Sequence, residues 1–300
     1  MAEEHGEAFL NCVLKRNESD TVMRIGALLM VLFVAPMTVT GFVFYQVVEI
    51  YQETGLILVT AWDFVGIMIL VSTTSVFYLL FLVSGTEKHY KRDRVWLRAL
   101  CEYARTYGHD TSEMESLIEE FDSIWIRRVK LGTAAYFIII AAINVGQAFF
   151  LFSSMIDANL SIDVFLWLMT VLNVELAVIS LYLFVFTRRH DYVQCRFSEV
   201  FYESMKEDMP ELTPMATRIK LRRVWPHIIL MVATLGVYAL IFSLWTLHTF
   251  NLHVSRQWTY EEKLLLLIME HEKATGIRKF DAEPEKDVIK LVLNQINQIV

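Results

Sequence analysis

The sequence predicts an all-α, polytopic membrane protein with five transmembrane helices and repeated cytoplasmic helical hairpins. Three observations predict it. The 300 residues are 55% hydrophobic with a mean hydropathy of +0.42, and the apolar residues gather in runs longer than the roughly 20 that a helix needs to cross a bilayer. Lys and Arg keep to the ends of these runs and to the long connections between them. A junction also recurs: Ile126, Arg127, Arg128, Val129 joins a polar helix to an apolar run, Leu221, Arg222, Arg223, Val224 does so again, and Met23, Arg24, Ile25 is a fainter version.

Residues 1–22 form an N-terminal segment in which Phe9, Val13 and Leu14, at helical spacing, predict a short amphipathic helix that Asn17 to Asp20 terminate. It is acidic, lacks the basic start of a signal peptide and leads into an apolar run too long for one, so that run is expected to be retained. A transmembrane hairpin over 23–86 follows, with spans at 23–48 and 56–83 and a turn through Gln52 to Gly55. Pro36 removes one backbone hydrogen bond and should kink the first span. The second starts at Trp62 and Asp63 and carries Ser72, Thr73, Thr74 and Ser75 at mid-depth.

The segment 87–130 reads as a cytoplasmic helical hairpin. Val95, Leu97, Leu100, Ala104 and Tyr107 recur at helical spacing, Gly108 with Asp110 marks a turn, and Ser112 with Glu115 forms a capping-box signal. Met114, Leu117, Ile118, Phe121 and Trp125 then share one face. A second transmembrane hairpin over 131–187 holds spans at 131–156 and 162–186, the latter opening at Asp163. Residues 188–223 repeat the cytoplasmic plan with Phe197, Val200, Phe201 and Met205, a turn at Met209 and Pro210, and a helix opening at Thr213 and Pro214.

The fifth apolar run, 224–250, reads as one transmembrane helix, and 251–300 as a C-terminal helical hairpin with one helix from Thr259 and Glu262 to Gly276 and another from Pro284. This last assignment conflicts with topology. The loops 86–130 and 187–224 hold nine and eight Lys and Arg residues while the turns at 49–55 and 157–161 hold none, so the positive-inside rule places the N-terminus and both long loops in the cytoplasm. Five crossings would leave the C-terminus outside. Yet Ile268, Met269, Glu270 to Thr275, Gly276 parallels Leu100, Cys101, Glu102 to Tyr107, Gly108 on the cytoplasmic side.

A net charge of -7 without a basic, aromatic-interleaved face excludes nucleic acid as the expected partner. The expected partners are membrane lipids and further protein chains, in a homo-oligomer or a larger membrane complex. Cys12, Cys101 and Cys195 all fall on the cytoplasmic side and are expected to stay reduced. His89 and His190 stand at matching exits of spans two and four, and Cys101 and Cys195 roughly match too, but no short ligand spacing links them. Neither a metal nor any other cofactor is expected.

Glu175 is the sharpest candidate for chemistry, because span four places this carboxylate at mid-membrane, where its charge costs roughly 2.5–3.5 kcal/mol on insertion scales. With Asn173, Asn144, Gln147, Ser72, Thr73 and Thr74 it would form an intramembrane polar layer. Such a layer serves either as a cation or proton site or as interhelical hydrogen-bond glue. Arg24, Arg127, Arg128, Arg222 and Arg223, with Trp125 and Trp225, read as membrane-interface anchors. Asp63 and Asp163 suit helix N-termini, and His227 reads as interfacial. No motif for a catalytic constellation is present. The expected function is therefore a non-catalytic integral membrane scaffold, sensor or complex subunit. The alternative is an oligomeric ion channel or proton-coupled carrier using the layer around Glu175, and a Glu175→Gln change, harmless to a scaffold but fatal to flux, separates the two.

Overall fold

The computed structural model describes residues 9–20, 45–46, 49–55, 61–124, 134–135, 138–139, 142, 146, 162–215, 223–234 and 237–276. The chain is all-α: the regular elements among these residues are helices. After a helical stretch at 9–14 come α1 (Arg16–Ser19), α2 (Ala61–Thr106), α3 (Ser112–Ile124), α4 (Ile162–Met205), α5 (Trp225–Ala233) and α6 (Val237–Thr275). Among the described residues no helix is long and apolar enough to cross a membrane. Apart from isolated helical positions, the runs 23–48 and 131–156 lie outside the described residues, as do Pro36 and the helix expected from Pro284.

Three long helices build the molecule. At 46, 44 and 39 residues, a rise of 1.5 Å per residue makes each about 60–70 Å long. Cross-helix contacts fix their direction. Along α2 and α4, Thr86 meets Tyr182 (3.3 Å) and Asp93 meets Gln194 (2.5 Å). Along α2 and α6, Asp93 meets Gln257 (2.6 Å), Tyr103 meets His271 (2.8 Å) and Tyr107 meets Thr275 (3.4 Å). Both sequences rise together, so α2, α4 and α6 run parallel.

That arrangement corrects the expected fifth span. The run 224–250 is not one helix but α5, a reversal, and the first part of α6. The His227 and Trp245 rings stack with centroids 5.5 Å apart, whereas 18 residues of continuous helix would separate them by about 27 Å. Thr234 shapes the reversal, its hydroxyl donating to the Leu230 carbonyl (2.7 Å) and accepting the Tyr238 N–H (3.0 Å). His227 also bonds the Tyr238 hydroxyl (2.9 Å) and lies against Phe184 and Phe242. Packing α5 back onto α6 encloses an aromatic cluster that one straight helix would leave apart. A single helix from Val237 to Thr275 also replaces the boundary expected at 251, and the start expected at Thr259 is interior to it. α6 ends beside α2, and the matched stretches 100–108 and 268–276 lie side by side.

The polar halves pack as the periodicity requires. Trp96, Leu97, Leu100 and Ala104 of α2 are buried with Phe197, Phe201 and Met205 of α4 and Leu264 and Ile268 of α6. Val95, expected on that face, is exposed, and Trp96 occupies the core instead. α3 covers the cluster with Met114, Ile118, Phe121 and Ile124. Its cap sits one residue earlier than expected: Asp110 accepts the Ser112 N–H (3.0 Å) while the Thr111 hydroxyl donates to Glu115 (3.1 Å), so Ser112 is already helical. Gly108, at φ +84°, supplies the left-handed residue that ends α2. The segment expected to form a second such hairpin departs more clearly. Residues 206–215 are turn and irregular chain, held by Leu212 and Met215 in the core and by the Met215 N–H on the Ser198 hydroxyl (3.0 Å). Gly276 closes α6 as expected, at φ +69°.

The N-terminal segment is part of the core. Phe9 and Val13 are buried, with the Phe9 ring 6.4 Å from Trp96, while Leu14 faces outward. Asn17 to Asp20 do not simply break a helix, because α1 continues through Ser19 and delivers Asp20 into the interior at 1% exposure.

Candidate functional site

A buried polar cluster lies where the three long helices cross one level. α2 brings His89, α4 brings His190 and α6 brings His253, with ring centroids 5.1, 5.2 and 5.8 Å apart. All three are fully buried or 1% exposed. Their local placement follows one pattern, a histidine followed four residues later by a polar side chain on the same helix face: His89 with Asp93, His190 with Gln194, His253 with Gln257. The Phe121, Phe186 and Phe250 rings lie 5.0–6.1 Å from His190 or His89 and wall off one side.

Each histidine is oriented by a carboxylate. Nδ1 of His89 bonds Asp20 (2.8 Å), Nε2 of His190 bonds Asp93 (2.7 Å), and Nδ1 of His253 bonds Asp191 (2.7 Å). Asp93 is the hub. Its Oδ2 also accepts from Gln194 (2.5 Å) and stands 3.1 Å from His89 Nε2, while its Oδ1 accepts from Gln257 (2.6 Å) and from the Arg92 guanidinium (2.9 Å). Arg92 continues the network to Asp20 (2.8 Å) and Glu261 (2.8 Å), and the Trp258 indole N–H donates to Asp20 (2.6 Å). Thus Asp20 of the N-terminal segment is held by α2 and α6 together. Arg16 strengthens that attachment by pairing with Glu262 and lying 4.7 Å above the Trp258 ring.

Charge in this interior is decided by neighbours. Burial alone would raise the Asp93 carboxyl, but His89 and Arg92 outweigh it and hold Asp93 well below the usual carboxylate range. Asp20 and Asp191 are lowered against burial in the same way, by His89 with Arg92 and by His253 with Arg256. For His89 burial favours the neutral ring, yet Asp93 and Asp20 win and raise its pKa. His190 goes the other way: burial dominates and pulls it to about 4, so it is neutral at neutral pH.

Glu261 is the weakly compensated acid. Burial pushes its pKa up to about 7, Arg92 opposes this, and Asp93 with Asp20 reinforce it. The Arg92 charge is shared with two aspartates, and Glu261 Oε2 is buried with no hydrogen-bond partner. A raised folded-state pKa means that stability is fully present below the unfolded value of 4.5 and is lost as pH climbs through about 7. A Glu261→Gln chain should lack this loss. Its unfolding midpoint should stay above that of the parent at pH 8 and converge with it near pH 4.5; parallel profiles would show that Glu261 remains ionised.

The side chains that build this site are not among those expected to carry function. Glu175, Asn173, Ser72, Thr73 and Thr74 lie on described backbone of α4 and α2, with side chains outside the described set. Asn144, Gln147, Arg24, Trp125, Arg127, Arg128 and Arg222 lie outside the described residues. Arg223 and Trp225 are exposed at the start of α5. Of the metal-ligand residue types considered, His89 and His190 come together, while Cys101 and Cys195 are buried elsewhere in the core. His253, just beyond the fifth apolar run, completes the trio. No short spacing links them in the sequence, yet His89, His190 and His253 each offer a ligand atom within 4.8 Å of the other two. A signal for the cluster stood in the sequence, the histidine with Asp or Gln four residues on, three times over.

Comparison with protein-family models, with curated proteins and with solved structures finds no match to this chain.

Proposed function

We propose that the chain is a non-catalytic integral membrane scaffold, sensor or complex subunit, in which helices continuous from apolar segments into a polar-cored cytoplasmic bundle transmit position between the two. The observation that carries this reading is the parallel trio α2, α4 and α6, locked at one level by a single buried network. Displacing the apolar end of any one helix moves its histidine against the other two. Further support comes from the α5–α6 hairpin, which turns Ile228, Ile229, Val232, Ile241 and Leu244 outward, an apolar surface suited to lipid tails or to further chains of an oligomer. The positive-inside pattern supplies the orientation, with the N-terminus cytoplasmic.

A second reading, an oligomeric channel or proton-coupled carrier working through the layer around Glu175, is favoured by one feature, the chain reversal in the fifth apolar run. A nine-residue α5 is about 13 Å long, short of the roughly 30 Å hydrocarbon core, which suits a re-entrant segment.

Topology tests the first reading. Single cysteines placed by Asp110→Cys, Glu211→Cys and Ala274→Cys should all label with a membrane-impermeant maleimide from the cytoplasmic side only. His109 already bonds Asp208 (2.6 Å) and Tyr107 approaches Thr275, so these three positions belong to one end of the bundle. Labelling of Ala274→Cys from the opposite side would overturn the reading.

A further inference from the structure

We infer that His89, His190 and His253 form a three-histidine site for a divalent transition-metal ion of the zinc class. The inference goes beyond the scaffold reading and is independent of which membrane, if any, the chain enters.

Ligand type and geometry agree with it. Three imidazoles from three different helices offer nitrogens within 4.8 Å of one another. Around a tetrahedral zinc with bonds of 2.0–2.1 Å, nitrogens sit roughly 3.3 Å apart, so the rings need to close by at most about 1.5 Å. Imidazole nitrogen favours zinc, copper, iron or nickel over magnesium or calcium, which take oxygen. Three histidines would leave a fourth coordination position open.

The hydrogen bonds around the rings are those a metal site uses. A ligating histidine gives one ring nitrogen to a carboxylate, which fixes its orientation and raises the basicity of the other. Here Asp20, Asp93 and Asp191 each hold one nitrogen of a different ring. The opposite nitrogen of His253, Nε2, is fully buried and has no hydrogen-bond partner, while Nε2 of His89 faces the Asp93 carboxylate at 3.1 Å. Burying an unpartnered imidazole nitrogen is costly, and binding a metal there removes the cost. The rest of the network supplies charge of the right sign. Three buried aspartates surround the rings, while Arg92 and Arg256 are the guanidiniums bonded to them. The phenylalanine wall meanwhile keeps out water that would compete for the ion.

The bland alternative is a histidine cluster satisfied by its aspartates alone. It leaves the His253 Nε2 without a role.

The test uses the full chain in mild detergent, stripped with a chelator and titrated with Zn2+ against a chromophoric competitor. One equivalent should bind. His253→Gln should weaken it by 100-fold or more, and Asp191→Asn, which removes an orienting carboxylate, by 10- to 100-fold. His248→Gln, on an exposed residue outside the cluster, should bind as the parent does. A folded parent chain that takes up no more Zn2+ than His253→Gln overturns the site. Should His253→Gln fail to fold, Co2+ added to the parent decides. Intense visible bands of tetrahedral cobalt support the site; the weak spectrum of hexa-aqua cobalt overturns it. Failure here leaves the labelling pattern of Asp110→Cys, Glu211→Cys and Ala274→Cys unaffected, so the metal site and the scaffold reading stand or fall separately.

Discussion

Replacing Asp93 by alanine should destabilise the folded chain by about 3–5 kcal/mol, the usual cost of removing one partner from a buried charge network. The carboxylate accepts from His190, Gln194, Gln257 and Arg92, so its loss removes a hydrogen bond from each of three helices at once. Alanine leaves Arg92 with Asp20 and Glu261, and the Gln257 amide with Glu261, which limits the damage to those side chains but does nothing for His190 or Gln194. Asp93→Asn should recover part of the loss. Both glutamines present their amide N–H to Asp93 and keep Oε1 buried without a partner, so turning one over lets it accept the new N–H of asparagine. Unfolding midpoints of the parent and both variants, measured in one detergent, check the order. An alanine variant as stable as the parent would show that the network is not formed. The exposed Lys206–Glu203 pair is the contrasting case, where removal of a screened, solvated charge should leave the midpoint unchanged.

Trp96→Ala should cost a comparable amount, about 3–5 kcal/mol, through the cavity it leaves. Trp96 is fully buried between Phe9 of the N-terminal segment (6.4 Å), Phe197 of α4 (6.4 Å) and Tyr260 of α6 (6.2 Å, edge to face). Removing it takes away the common surface on which those three meet. The N-terminal segment should loosen first, because Phe9 and Val13 supply its apolar contact with the core. Faster tryptic cleavage at Lys15, together with the lower unfolding midpoint, would report this. Trp96→Phe should be much milder. The indole Nε1 has no hydrogen-bond partner, so phenylalanine sacrifices volume but no bond. Equal losses from alanine and phenylalanine would mean that the indole ring, rather than filled volume, is what the site requires.

Helix periodicity made the core of the bundle legible before any contact was known. Leu97, Leu100 and Ala104, Met114, Ile118 and Phe121, and Phe197, Phe201 and Met205 recur every three or four residues, and a side chain's face on a helix depends only on that spacing. All of them are buried. Glycines at 108 and 276 were readable for a similar reason, since a left-handed residue after a helix costs little without a Cβ. The likeness between 100–108 and 268–276 was also local information, and it pointed correctly to one bundle end.

Direction and partnership were not local. An unbroken apolar run from 224 to 250 contains nothing that forbids a single helix. What breaks it is the gain from stacking His227 on Trp245 and Phe242, contacts between residues that sequence spacing sets far apart. The histidine cluster was hidden for the same reason. Metal-ligand spacing is diagnostic when ligands share a turn or hairpin, but His89, His190 and His253 are separated by long stretches of chain and meet only because three helices run parallel in one register. Asp20 is the extreme case. In the sequence it closes a short polar stretch, and only docking of the N-terminal segment against α2 and α6 turns it into a buried partner of His89, Arg92 and Trp258. The sequence by itself determined which faces of the helices are apolar and where glycines end them, because those depend on neighbours along the chain. Tertiary structure alone decided how many times the chain reverses and which polar side chains share an interior, because those depend on the register between helices, which no single helix encodes.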